Sequence, residues 1–407
     1  MSEHVKFRFD LFDPDIAQIL KDCNYIILPF VLSGVNDEVN RLLTSCGEMF
    51  FERNTSNEDL IQCSNDLKIV LDITWEKLNT GHWKDVNINW RYVYTLASLF
   101  KVLCLLSAKD VDKRDIVKVC DMGLLMGAPL MKNILSKIAS KVSSMIFLEE
   151  NQYSKSQAKK LKFTSASEDV QIKYDIKEEK NLFQAEFLKN YLEKSLPVIL
   201  TDCIGHWPAL SSKPWSIDYI LEKARYRTVP IEIGSKYTDD NWTQTLMTVG
   251  DFVEKYIKNK SDQKEIGYLA QHNLFNQIPE LFEDIEIPSY ITNKDDVDIS
   301  VWFGPGGTIS PLHFDPKYNL LTQVIGEKYI RLYSEDQTKN LYPRLNTWLS
   351  NTSHVDAENP DLNSFPLFAE ATYQECVLKP GQLLFIPPRC WHYVRSLSTS
   401  FSISFWW

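Results

Sequence analysis

No run of apolar residues in this chain reaches the roughly 20 needed to span a bilayer, and Met1-Ser2-Glu3-His4 does not open a secretory signal. Also missing is any CxxC pair or zinc-finger spacing among the eight cysteines, Cys23, Cys46, Cys63, Cys104, Cys120, Cys203, Cys376 and Cys390. Such scatter argues against a disulfide framework. It reads as free thiols of a reducing compartment, most of them buried as small hydrophobes. The N-x-S/T triplets at Asn54, Asn241, Asn259 and Asn351 are then accidental. Basic charge is short as well: 44 Lys and Arg against 54 Asp and Glu leave a net of -10, which argues against direct binding of nucleic acid. The protein is expected inside the cell, neither secreted nor in a membrane, and its acidity suits a basic protein or peptide as partner.

With 407 residues, 44% of them hydrophobic and 12% aromatic, the chain is globular and long enough for roughly two or three domains. Residues 1–150 read as an all-α domain. Val39, Leu42, Leu43, Cys46, Met49 and Phe50 recur at three- and four-residue steps, as do Leu60, Cys63, Leu67, Val70 and Leu71, and each set marks one buried helical stripe. Trp90 to Leu106 is more continuously apolar and predicts a central helix. A last amphipathic stretch runs from Ile116 to Ile146 with a break near Gly127-Ala128-Pro129. Residues 151–170 turn to Ser, Lys and Gln and predict a linker. Lys155, Lys159, Lys160 and Lys162 in it read as a solvated stretch or as a nuclear import patch.

Beyond this the pattern changes. Residues 171–407 carry short strands spaced by turn signals, among them Pro197 to Leu200, Val229 to Ile233 and Ile299 to Phe303, with helices expected over Asn181 to Glu193 and Ser216 to Ala224. Ser400 to Trp407 alternates with period two: Phe401, Ile403 and Phe405 share one face, and Ser400, Ser402, Ser404 and Trp406 the other. A strand polar on its second face suggests a barrel with a wet interior. The expected class is α+β, a helical domain followed by a double-stranded β-helix of jelly-roll type.

His313 and Asp315 stand two apart in Ser310-Pro311-Leu312-His313-Phe314-Asp315, and in an extended strand such residues share a face. A second histidine, His392, follows the strand-like Leu383 to Ile386 and the terminator Pro387-Pro388. Two imidazoles and one carboxylate on one side of an octahedron leave three positions open, the ligand set of non-haem Fe(II) oxygenases. Zinc competes, but structural zinc sites leave no position open and favour cysteine. Leu320 to Ile325 and Lys328 to Tyr333 flank a Gly-Glu turn and read as a hairpin. Its second strand opens on Lys328, a lysine expected in a barrel wall, where an ammonium needs an anionic partner.

These segments, with Lys379-Pro380-Gly381-Gln382-Leu383-Leu384-Phe385-Ile386-Pro387-Pro388 ahead of Trp391-His392, resemble the JmjC-domain oxygenases, a cupin-like family. Tyr268-Leu269-Ala270-Gln271-His272 and Val301-Trp302-Phe303-Gly304 extend the resemblance, which is close over the C-terminal half and loose over the N-terminal half. It implies Fe(II) on His313, Asp315 and His392, with 2-oxoglutarate and O2 as cosubstrates. The cosubstrate would be held by Tyr268, Ser310, Asn319, Lys328 and Trp406. It further implies a substrate pocket lined by Glu232, Tyr237, Trp242, Gln271 and Trp302, an acid with aromatics that suits a guanidinium or a methylated ammonium alike. Three functions follow as expectations: hydroxylation of protein arginine at C3, histone lysine N-methyl demethylation, or a non-catalytic recruitment scaffold. The substrates implied are arginine-containing basic proteins, histone, ribosomal or chromatin-associated, and the expected compartments are nucleus and cytoplasm.

Overall fold

The computed structural model describes residues 12–22, 32–50, 56–108, 110–130, 133–153, 170–234, 236–239, 241–258, 265–345 and 349–407. Most of the expected linker, with its lysines, lies outside the described residues, as do Cys23, Asn54 and Asn259. The chain forms two compact units. Among the described residues no helix is long and apolar enough to cross a membrane.

The first unit is built on helices α1 (Pro14–Asp22), α2 (Asp37–Met49), α3 (Asn57–Asn79), α4 (Asn89–Ser107), α5 (Lys113–Met126) and α6 (Ile134–Tyr153). The starts of α2, α3 and α5 carry side-chain caps. Asn36 accepts from Val39 N, Asp112 from Arg114 N, and Ser56 and Asp59 bond reciprocally as a capping box. The apolar run from Trp90 is α4, packed between α3 and α5, with Val93, Ala97, Leu99, Phe100, Val102 and Leu103 fully buried. Val39, Leu43, Cys46 and Phe50 of the first stripe, and Cys63, Leu67 and Val70 of the second, share its core. Residues 222–228 and 276–278 also belong to this unit. They bring Arg227, fully buried, whose Nη2 donates to Asp121 Oδ1 at 2.7 Å and to the Gln277 carbonyl at 2.8 Å. Thr228 N donates to the other Asp121 oxygen, so this buried pair is satisfied on both sides.

The second unit carries strands β1 (Glu178–Lys180), β2 (Val198–Thr201), β3 (Thr228–Ile233), β4 (Thr243–Thr248), β5 (Gly267–His272), β6 (Asp298–Gly304), β7 (Ile309–His313), β8 (Asn319–Ile325), β9 (Lys328–Tyr333), β10 (Gln374–Leu378), β11 (Leu383–Ile386), β12 (Trp391–Ser396) and β13 (Ser400–Trp406). They make a larger sheet in the order β1-β2-β11-β8-β13-β6-β5-β3-β4 and a smaller one, β10-β9-β12-β7. Two such sheets form the double-stranded β-helix. Of the helices expected at its start, one covers Ile217–Ala224, and the other begins at Gln184 and widens to π geometry over Leu188–Leu192.

The hairpin expected from β8 and β9 does not form. β8 pairs with β11 and β13 in the larger sheet, and β9 with β10 and β12 in the smaller. Gly326, with φ +71°, turns a corner between them, and a Cβ there would lie 2.1 Å from the Thr399 carbonyl oxygen. The turn between β12 and β13 crosses between the sheets against the same corner: Leu397 N donates to Glu327 O at 2.9 Å, and Glu327 N to Ser398 Oγ at 3.0 Å. Apolar strands on either side of a two-residue turn have the same local pattern in a hairpin and in a corner. Long-range pairing decides between them.

β13 turns its serine face inward. Ser402 Oγ donates to Gln323 Oε1 at 2.7 Å, Ser404 Oγ accepts from Trp302 Nε1 at 3.0 Å, and Ser400 bonds Ser396 at 2.9 Å. Its other face packs on aromatic rings, Phe401 against Trp215 and Phe405 against Trp207. The seven cysteines among the described residues are free thiols, all buried except the half-buried Cys203.

Candidate metal centre and its pocket

β7 ends at His313, and Asp315 lies just past it, so the two ligands straddle a strand end instead of sharing one strand. His392 on β12 is the cross-strand partner of His313. The ring centroids stand 4.1 Å apart. His313 Nε2 is 4.0 Å from Asp315 Oδ1, and His392 Nε2 is 3.8 Å from Asp315 Oδ2. These separations are too long for hydrogen bonds, so the three groups converge without bonding one another. All three ligand atoms fall within 4.8 Å, and among the described residues no other group of His, Cys, Asp and Glu does so.

The backbone fixes both tautomers. His313 Nδ1 lies 2.7 Å from the Pro311 carbonyl oxygen and His392 Nδ1 3.1 Å from that of Cys390. A carbonyl only accepts, so each Nδ1 carries the proton and each Nε2 presents its lone pair to the common point. Burial, and then the neighbouring His313, hold the His392 imidazole well below its ordinary range, which keeps it neutral and able to ligate. The donor set fits an octahedral Fe(II) with positions to spare.

A cavity of about 380 Å³ opens beside these ligands, and every residue expected at the metal, cosubstrate or substrate site lines it. Lys328 is fully buried, with Nζ 3.1 Å from the Tyr268 hydroxyl, and among the described residues no carboxylate lies within ion-pair distance of it. Desolvation pushes its amine down to about 7. Nearby, Asn319 Oδ1 is buried without a hydrogen-bond partner. Ser310 is buried beside Tyr268, whose phenol burial drives far above its usual range. An unpaired buried amine and hydroxyl and amide groups around an open space suit the far carboxylate of a dicarboxylate such as 2-oxoglutarate.

Trp406 sits differently from the other four residues expected to hold the cosubstrate, since its Nε1 donates to Asp315 Oδ2 at 3.2 Å. Of the five residues expected to line a substrate pocket, Glu232 is half-buried, receives Trp242 Nε1 at 3.3 Å, and has its carboxyl raised by desolvation. Tyr237 meets the Thr352 hydroxyl at 3.3 Å and stands edge-on to the His313 ring at 6.4 Å. Trp302 lies 6.0 Å from Tyr268 and 6.2 Å from Trp406. Gln271, exposed and at φ +48°, is at the rim.

Leu349, Asn351 and Thr352 also line the cavity and were not expected there. Their segment runs beside β7, with Phe314 N donating to Asn351 O at 3.0 Å and Ser353 N to Leu312 O at 2.8 Å. No periodicity marks such irregular chain, and the one signal at Asn351, its N-x-S/T triplet, points elsewhere.

Compared with known proteins, residues 184–407 match the cupin-like domain family, and residues 59–158 match the family described as KDM8-like, N-terminal ARM repeats. The chain is 45% identical to lysine-specific demethylase 8 of Danio rerio over 94% of its length and 97% of the relative's. It is 39% identical to Jumonji C domain-containing protein 5 of Drosophila melanogaster, covering 83% and 85% of the two chains. Identity to lysine-specific demethylase JMJ30 of Arabidopsis thaliana is 36% over 83% of this chain and 84% of that one.

Proposed function

The chain belongs to the JmjC family of cupin-like, Fe(II)- and 2-oxoglutarate-dependent oxygenases, and we propose that it hydroxylates arginine side chains at C3 in basic protein substrates. Glu232 carries this reading. Its half-buried carboxylate lines the cavity wall, partly desolvated and with a single long bond from Trp242. A desolvated carboxylate of that kind favours a cation that brings several N–H donors, and a guanidinium offers two parallel bonds. Tyr237, Trp242 and Trp302 supply flat faces for it.

Bound iron and 2-oxoglutarate supply the oxidation of a C–H bond by O2, with succinate and CO2 as by-products. The chain's own residues prepare that chemistry. His313 and His392 offer fixed Nε2 lone pairs, Lys328 and Tyr268 anchor the far carboxylate, and the apolar walls Leu321, Ile386 and Val394 exclude water. Membership of an oxygenase family, with the ligand triad assembled, sets the scaffold reading aside.

Lysine N-methyl demethylation is a second reading, supported by the names of the Danio rerio and Arabidopsis thaliana relatives. The same acid and aromatics suit a methylammonium, and hydroxylation of its methyl group would release formaldehyde. The deciding experiment is mass spectrometry of arginine-rich and methyl-lysine peptides after incubation with the protein, Fe(II), 2-oxoglutarate and air, beside a His313→Ala control. One oxygen gained on arginine, absent in the control, is the expected result. Loss of a methyl group from lysine, with arginine untouched, would replace the first reading by the second.

A further inference from the structure

Each ligand histidine is oriented by a backbone carbonyl, Pro311 O for His313 and Cys390 O for His392. Among the described residues the Asp315 carboxylate has no backbone tether. It lies beyond the end of β7 with its side chain 22% exposed, and the donor on its carboxylate is the indole N–H of Trp406, at 3.2 Å from Oδ2. We infer that Trp406 is the positioning residue of the metal centre, holding Oδ2 of Asp315 so that Oδ1 keeps its lone pairs for the ion.

Three observations support the assignment. An indole has one donor and no acceptor, so the Trp406 N–H bonded to Asp315 is not free for a cosubstrate. The neighbouring indole is engaged elsewhere, Trp302 Nε1 on Ser404 Oγ, so the two donors do not share the role. The ring itself is held: Trp406 is 8% exposed, lies in register between Asn319 and Asp298, and meets Trp302 edge-on. Groups that orient a metal ligand from behind are typically worth about 10- to 100-fold in metal affinity.

The test is titration of the full chain with Mn(II) alone, without cosubstrate, read by electron paramagnetic resonance. Trp406→Phe keeps an aromatic ring and removes the donor. We expect Mn(II) to bind about 10- to 100-fold more weakly, with the melting temperature of the metal-free protein little changed. Trp406→Tyr moves the donor away from Oδ2 and is expected to show the same loss, so a folding defect in either variant does not decide the matter. In an Asp315→Ala background, where metal binding is already weak, Trp406→Phe should add nothing, because the tryptophan acts through the aspartate. Mn(II) affinity within twofold of wild type in both single variants would overturn the inference, as would an equal loss in the Asp315→Ala background.

Discussion

Replacing Lys328 by methionine removes an ammonium that the folded protein buries without a counter-charge, and the metal-free, cosubstrate-free protein should become more stable for it. The fall of the amine from 10.5 to about 7 corresponds to about 5 kcal/mol of preference for the neutral form, at about 1.4 kcal/mol per tenfold change in proton affinity. Methionine has a similar shape but loses the bond to Tyr268, worth about 1 kcal/mol. The net gain is about 3–4 kcal/mol at about pH 6, where the wild type must carry the charge in both folded and unfolded states. Between about 7 and 10.5 the unfolded chain holds a proton that the folded chain has shed, so wild-type stability rises with pH. The advantage of the variant therefore shrinks by about 1.4 kcal/mol per pH unit across that window. Urea unfolding followed by tryptophan fluorescence at about pH 6 and about pH 9 reads this directly, since eight of the eleven tryptophans lie beyond residue 200. A variant no more stable than wild type near pH 6, or an advantage that does not narrow with pH, would refute the reasoning. The same variant should lose its affinity for the cosubstrate analogue N-oxalylglycine.

Glu232→Gln keeps shape but removes the charge offered to a guanidinium. Turnover of an arginine peptide is expected to fall about 10- to 100-fold in kcat/KM, while N-oxalylglycine affinity, measured by calorimetry, stays near wild type. Gly326→Ala forces a Cβ to 2.1 Å from the Thr399 carbonyl at φ +71°. A loss of about 2–4 kcal/mol is expected in a urea titration, since neither neighbouring backbone can yield cheaply. Arg227→Met strands the buried Asp121 carboxylate in the helical unit, and about 3–5 kcal/mol of stability should disappear, visible as an early thermal transition by circular dichroism.

Much of this architecture is legible without coordinates because it rests on local rules. The three- and four-residue stripes of α2 and α3 lie on buried faces, and the apolar run from Trp90 is α4. The candidate metal triad announces itself through His313 and Asp315 two apart and His392 after a proline stop, although Asp315 lies past the strand end and not on the strand. What stays illegible depends on distant partners. Nothing local tells a corner at Gly326 from a hairpin, because the choice is made by Leu397 to Thr399 packing against it. Likewise the serine face of β13 shows where Trp406 points but not that its N–H meets Asp315, 91 residues earlier. Asn351 and Thr352 reach the cavity through backbone bonds to β7, which no side-chain pattern encodes. Residues 222–228 join the helical unit through Arg227 and Thr228 on Asp121 and through Tyr226 in its core, contacts between residues about a hundred positions apart.

His313 and His392 face each other directly across adjacent strands. The distance between the two imidazoles is therefore set where the ladder pairs them, next to a register shift between His392 and Val394, and a one-residue slip turns every side chain of a strand to the opposite face. The centre should tolerate sequence drift unevenly. Volume-conserving exchanges among the buried residues of β9 and β12 leave the register alone, whereas one residue inserted or deleted inside β7 or β12 would carry a histidine out of the pocket while leaving composition and hydrophobicity almost unchanged. For this fold, length within the ligand-bearing strands is a more stringent inherited quantity than the identity of the core that surrounds them.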